Sequence, residues 1–123
     1  MIEVVKSLIK NNYLKAIDEG YFSDIYMDLY NRFFRDENFQ YIGWFTETML
    51  DAGINPLLYM GWVPPRYLYA SKTIRHLVIP PHITRISSNA FAHSNISCIE
   101  IPRNCSNIDR EAFKWCGAKI QRY

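Results

Sequence analysis

The sequence predicts an α+β protein in which helices of residues 1–60 cap a short solenoid of parallel strands in residues 61–123, the two forming one compact unit. Three observations predict it. Apolar residues recur at helical spacing through the first segment. At Gly61 the stripes give way to prolines, isoleucines and serines. From there the chain repeats itself, Ile74–Asn95 against Ile96–Gly117, at an offset of 22 residues.

Taken in order, Ile2, Val5, Leu8, Ile9, Leu14 and Ile17 form a first helical face, closed by Gly20 as C-cap. Ser23 or Asp24 caps the next helix, whose stripe is Tyr26, Leu29, Tyr30 and Phe33 and which ends near Arg35-Asp36. Asn38 caps a third helix, with Tyr41, Ile42, Phe45 and Met49 on its buried side and Gly53 at its end. Asn55-Pro56 then starts a short helical turn over Leu57 to Met60.

In the repeat, Ile74, Leu77 and Ile79 match Ile96, Ile99 and Ile101; Pro80 matches Pro102, Ile86 matches Ile108, and Ala90-Phe91 matches Ala112-Phe113. Units of this length cannot bury an apolar face alone, so the repetition predicts stacking into one interior. Alternate residues of each short strand point inward. Proline ends the strand, and the Ala-Phe pair returns to plug the core. A shortened unit precedes these two, with Leu58, Gly61, Val63 and Pro64 under Ile74, Leu77, Ile79 and Pro80 at an offset of 16; Tyr67, Leu68 and Tyr69 fill the place of its missing plug. The tail 118–123 begins a last strand around Ile120.

Composition is that of a globular chain, 49% hydrophobic and 21% charged, so disorder is excluded as the default. No apolar run is long enough to span a bilayer, and the start shows no secretory signal; a cytoplasmic protein is expected. In that compartment Cys98, Cys105 and Cys116 read as free thiols. Charge is uneven. Residues 1–60 carry five Lys/Arg against nine Asp/Glu (−4), residues 61–123 nine against three (+6), which sum to the net +2. Such asymmetry fits an acidic partner, nucleic acid included; attraction within one fold and plain surface variation fit it equally.

The motif x-I-P-x-x-[I/V]-x-x-I-x-x-x-A-F-x-x-[C/S] stands as Val78-Ile79-Pro80, Ile83, Ile86, Ala90-Phe91 and Ser94, and again as Glu100-Ile101-Pro102, Ile108, Ala112-Phe113 and Cys116, with Cys105 in place of Ile83. It resembles the BspA-type leucine-rich repeat, and the stretch AGINPLLYMGWVPPRYLY resembles the lead-in of short bacteriophage-encoded repeat proteins. The resemblance implies a leucine-rich-repeat solenoid and a protein-binding module without a shared active site. Its phage side implies a host protein as partner, in the host cell cytoplasm, for an inhibitor of a host enzyme or defence complex of the anti-CRISPR or host-takeover type. Fold analogy alone does not establish such a role.

The strand face is the sharpest candidate site. Its expected outward positions are Met60 and Trp62, then His76 and Val78, then Cys98 and Glu100, with Arg75 and Arg103 at the rim. Trp62, Arg75, His76, Val78, Glu100 and Arg103 are the candidate partner-binding residues, with Trp62 as the aromatic anchor. Burial of Trp62 under the helical half is the competing reading. Tyr26, Tyr30, Phe33 and Phe34 offer a second apolar surface, read first as the cap's own packing; Phe34, Phe39 or Trp44 are candidates for a homodimer or partner contact.

His76, His82 and His93 fall on diverging parts of the repeat, so no metal and no cofactor are expected. Cys98 and His76 sit one repeat apart on neighbouring strands, but an orienting group and an oxyanion site are not evident, so no catalytic residue is assigned and no enzyme is expected. Arg103, Arg110, Lys114, Lys119 and Arg122 support the alternative of a nucleic-acid-binding accessory protein, though Asp109 and Glu111 interrupt them. A structural virion component is the remaining alternative.

Overall fold

The computed structural model describes residues 20–34 and 40–123. The expected first helix (2–17), residues Arg35, Asp36, Asn38 and Phe39, and the side chains of Phe33, Phe34 and Tyr41 lie outside the described set.

Helix α1 runs Phe22–Phe34 and helix α2 Gln40–Asp51. Neither Ser23 nor Asp24 caps α1. The helix starts at Phe22, ahead of both, with Tyr21 C=O accepting from Ile25 N–H, and Asp24 sits in the first turn, where its charge favours the helix dipole. The shift adds Phe22 to the buried stripe with Tyr26 and Tyr30, while Leu29 is only half-buried. In α2, Ile42, Phe45 and Met49 are buried, and Gly53 ends the helix at φ +85°, a conformation in which a Cβ is strained. Asn55 then accepts Leu57 N–H on its side chain and caps a 3-10 turn, Pro56–Tyr59.

Strands follow as β1 (His76–Val78), β2 (Arg85–Ile86), β3 (Cys98–Ile101), β4 (Asn107–Ile108) and β5 (Lys119–Arg122). They form two parallel sheets, β1-β3-β5 and β2-β4. Leu77 pairs with Ile99 and Ile86 with Ile108, which is the 22-residue offset of the repeat; Ile99 then pairs with Ile120, so the tail is a strand as expected. The arms between strands also coincide. Turn hydrogen bonds Ile83→Pro80, Ala90→Ser87, Ala92→Asn89 and Ser94→Phe91 recur as Cys105→Pro102, Ala112→Asp109, Lys114→Glu111 and Cys116→Phe113. Two unlike sequences thus make the same coil because the residues that must be buried recur at the same places. Cys105 replaces Ile83 and is equally enclosed.

The shortened unit is placed differently from the expected offset of 16. Val63 bridges Ile86 in parallel, donating to Arg85 C=O and accepting from Ser87 N–H. It therefore belongs beside β2, not β1. Turn bonds Tyr67→Pro64, Tyr69→Arg66 and Ser71→Leu68 continue the series, so Tyr67-Leu68 occupies the Ala90-Phe91 position, and both are fully enclosed. The 3-10 turn precedes the Val63 bridge in the first coil, and among the described strands β1 pairs with β3 alone. His82 Nε2 lies 2.8 Å from both Leu57 and Met60 C=O; two acceptors require that nitrogen to carry the proton, so the ring ties the turn to the next coil.

One buried cluster runs from Phe22 to Ala112 through helices and coils alike. Its aromatic spine passes from Tyr26 to Tyr67 (6.5 Å between centroids), Phe91 (6.3 Å) and Phe113 (5.3 Å). The helices seat on the first coil through backbone as well. Gly43 lies so close to the Tyr69 peptide that a Cβ would come within 1.9 Å of its carbonyl oxygen. Tyr30 Oη donates to Pro65 C=O, and Glu47 accepts from Lys72 N–H (3.3 Å) and from Thr73 Oγ1. Burial pushes the Tyr30 phenol up, with Arg66 opposing, and pushes the Tyr67 phenol far up.

Candidate partner-binding face

Strand alternation in β1-β3-β5 sends Leu77, Ile99 and Ile101 into the core and the residues between them outward. In-register pairing turns those outward residues into two columns, His76–Cys98–Lys119 and Val78–Glu100–Gln121. Val78 is 45% exposed although apolar. His76 Nε2 meets Glu100 Oε2 at 2.7 Å across the diagonal between neighbouring strands. Both groups are substantially solvated, so the contact orients two side chains and adds little stability.

Arg75 precedes the first column. Its C=O accepts from Ser97 N–H and Cys98 N–H, and its guanidinium reaches Asn95 C=O at 3.4 Å. Arg103 lies past the end of β3, exposed, its N–H donating to Tyr123 C=O. Tyr123 follows β5 and extends its hydroxyl back to Ile79 C=O, across two coils. Burial and the nearby Glu100 charge both push that phenol up. The structure thus gathers His76, Val78 and Glu100 on one face, with Arg75 and Arg103 at its two ends. Lys119, Gln121 and Tyr123 complete it; the alternation around Ile120 was their only sequence signal.

Trp62 is not part of this face. It precedes Val63 beside β2, half-buried, with the Arg85 guanidinium 4.4 Å from its ring centroid. The cap does not bury it as core either; the ring lies against a cation of the neighbouring coil. Met60, expected outward, is buried.

The three histidines go to separate places: His76 to Glu100, His82 to the 3-10 turn, and His93 against the Tyr69 ring at 5.4 Å. Among the described residues no three His, Cys, Asp or Glu groups converge as metal ligands. All three cysteines are free; Cys116 Sγ lies 3.3 Å from its repeat equivalent Ser94 Oγ, and burial raises the Cys105 thiol, with Arg122 opposing. The C-terminal cations are dispersed: Lys114 lies 3.6 Å from Glu111, and Arg122 donates to Cys105 C=O (2.7 Å) and Arg103 C=O (3.1 Å). No described helix is long and apolar enough to cross a membrane.

Helices seated on coils with in-register parallel strands define a mixed α+β domain of the repeat class. Residues 63–121 match the family described as BspA type leucine rich repeat region (6 copies), so this segment is similar to leucine-rich repeats of that kind. Repeats of this family typically serve protein interaction rather than catalysis. No curated protein and no solved structure matched the chain.

Proposed function

We propose that the protein is a binding module for another protein and that the partner docks on the outer face of β1-β3-β5. One observation carries the reading: parallel pairing fixes the two outward columns, and an apolar Val78 stands exposed among His76, Glu100 and Gln121. A rigid sheet presents such a set at little entropic cost. Arg75 and Arg103 form the polar rim. Residues 1–60 serve as the helical cap of a short solenoid, and Trp62 is removed from the contact set. In its finer form the partner is a host protein, met in the host cytoplasm, and the chain is a phage-encoded inhibitor of a host enzyme or defence complex.

A photo-crosslinking residue at Val78, with the same residue at Thr84 as control, tests this in bacterial lysate. Thr84 is exposed but lies outside the face. A host protein captured from Val78 and not from Thr84, and lost on Glu100→Lys, supports the reading. Equal capture from both positions removes it.

A further inference from the structure

We infer, resting on the outer face as the docking surface, that the partner sets a Lys or Arg side chain on Glu100 and that protonation of His76 opposes it. Parallel strands lie about 4.8 Å apart, and Val78 pairs in register with Glu100. A partner that covers the exposed Val78 side chain therefore covers the Glu100 carboxylate beside it. That side chain is 32% exposed, so docking strips it of water, and a desolvated charge is costly unless an opposite charge meets it. Among the described residues, His76 is the group in ion-pair reach of Glu100, with Nε2 2.7 Å from Oε2.

The other cations around the pair are engaged or placed elsewhere. Arg75, ahead of β1, turns its guanidinium to Asn95 C=O. Lys119 stands on β5 opposite Cys98, in the other column. Arg122 donates to the Cys105 and Arg103 carbonyls, and Arg103 itself lies past the end of β3. The remaining titratable neighbours are the Cys98 thiol, paired with His76, and the Tyr123 phenol, which burial and the Glu100 charge both raise. Neither supplies positive charge. Histidine is the side chain that gains charge as pH falls from 8 to 5. On the alkaline side the neutral ring donates Nε2–H and leaves the Glu100 charge uncancelled, so the counter-charge has to come from the partner. On the acid side His76 neutralises Glu100, and an arriving cation meets a balanced pair between Arg75 and Lys119. Docking and protonation thus compete for the charge of one carboxylate. Capture is strongest where His76 is neutral and weakens as pH falls.

The probe is the photo-crosslinking residue at Val78 in the whole protein, and the band it captures is quantified over a dilution series of bacterial lysate at pH 7.5 and 5.5. Half-maximal capture should need about tenfold more lysate at pH 5.5, in line with the fraction of neutral imidazole. Glu100→Gln should need about tenfold more at pH 7.5, with no further rise at pH 5.5. His76→Asn, whatever its level of capture, should be equal at the two pH values. Capture by the parent that is equal at both pH values overturns the inference, as does a pH dependence that persists in His76→Asn. Stronger capture by Glu100→Gln would mean that the partner meets Glu100 with apolar or acidic groups, and overturns it too. Each of these results leaves the preference for Val78 over Thr84, and with it the outer face, standing; loss of that preference removes both. Circular dichroism at each pH checks folding, and if Glu100→Gln is unfolded the His76→Asn profile decides.

Discussion

Gly43→Ala isolates the seat between the helical cap and the repeat. A Cβ at this position lies 1.9 Å from the Tyr69 carbonyl oxygen and 2.9 Å from its carbonyl carbon. Non-bonded heavy atoms settle at roughly 3.5 Å, so α2 and the Tyr69 turn would have to part by about 1.5 Å. The obstacle is backbone. Tyr69 N–H bonds to Arg66 C=O, and the next peptide, Ala70 N–H, bonds to Ala92 C=O, so neither can swing aside as a side chain would. Parting them also loosens the Tyr26–Phe45 stack and the Glu47 bonds to residues 72 and 73. Overpacking of this kind costs about 3 kcal/mol, and alanine returns about 1 kcal/mol through helix propensity. The expected net loss is about 2 kcal/mol, or about 8 °C in Tm for a chain of this length. Urea and thermal unfolding of the variant measure it. A variant as stable as the parent, or stabilised by the propensity gain, would show that the helices do not seat at Gly43 and refute the reasoning.

Phe91 lies at the centre of the aromatic spine, so Phe91→Ala should cost about 3–5 kcal/mol in urea unfolding, and a loss below about 1 kcal/mol would deny it that place. Asn55→Ala removes the acceptor for Leu57 N–H and should cost about 1 kcal/mol, with Asn55→Asp largely sparing it. The phenols of Tyr30 and Tyr67 are raised by burial, so both stay protonated in the fold after the unfolded chain begins to ionise near pH 10. Above that pH the unfolded state binds fewer protons, and stability should fall by about 1.4 kcal/mol per pH unit for each phenol; urea midpoints unchanged up to about pH 11.5 would contradict this. Glu100→Gln keeps the His76 contact neutral and exposed, so stability should change by under about 1 kcal/mol while capture of the partner weakens. A stability loss that accounts for the lost capture would make Glu100 structural.

Much of the fold was legible because burial has a period. Isoleucines and Ala-Phe plugs at an offset of 22 foretold β1 beside β3 and β2 beside β4, and Ile120 foretold β5. Asn55-Pro56 foretold a capped turn because a side-chain acceptor before proline has one common use. The first coil was misplaced for a physical reason. Matching Val63-Pro64 to Ile79-Pro80 compares residue types that end any strand, whereas the fold is indexed by its plugs. Setting Tyr67-Leu68 under Ala90-Phe91 puts Val63 against Ile86 and takes Trp62 off the partner face, and that signal was present. Other determinants leave no trace in residue type. Arg66, Asn89, Ala70, His93 and Trp115 all turn the chain at positive φ, and only Asn89 and His93 are residue types that favour it. Gly43 reads as a weak helix residue until the Tyr69 peptide is seen against it. The outer face was half legible, since His76, Val78 and Glu100 follow from strand alternation, while the reach of the Tyr123 hydroxyl back to Ile79 leaves no mark in the sequence.

Backbone proton contacts in solution NMR test the stacking of the coils most directly. Ile99 is the reporter, because it has a strand on either side. Cross-strand contacts from Ile99 to both Leu77 and Ile120 are the expected result. Contacts at any other pairing, or none to Leu77, would mean that the outward columns do not exist and that no binding face can be built from them.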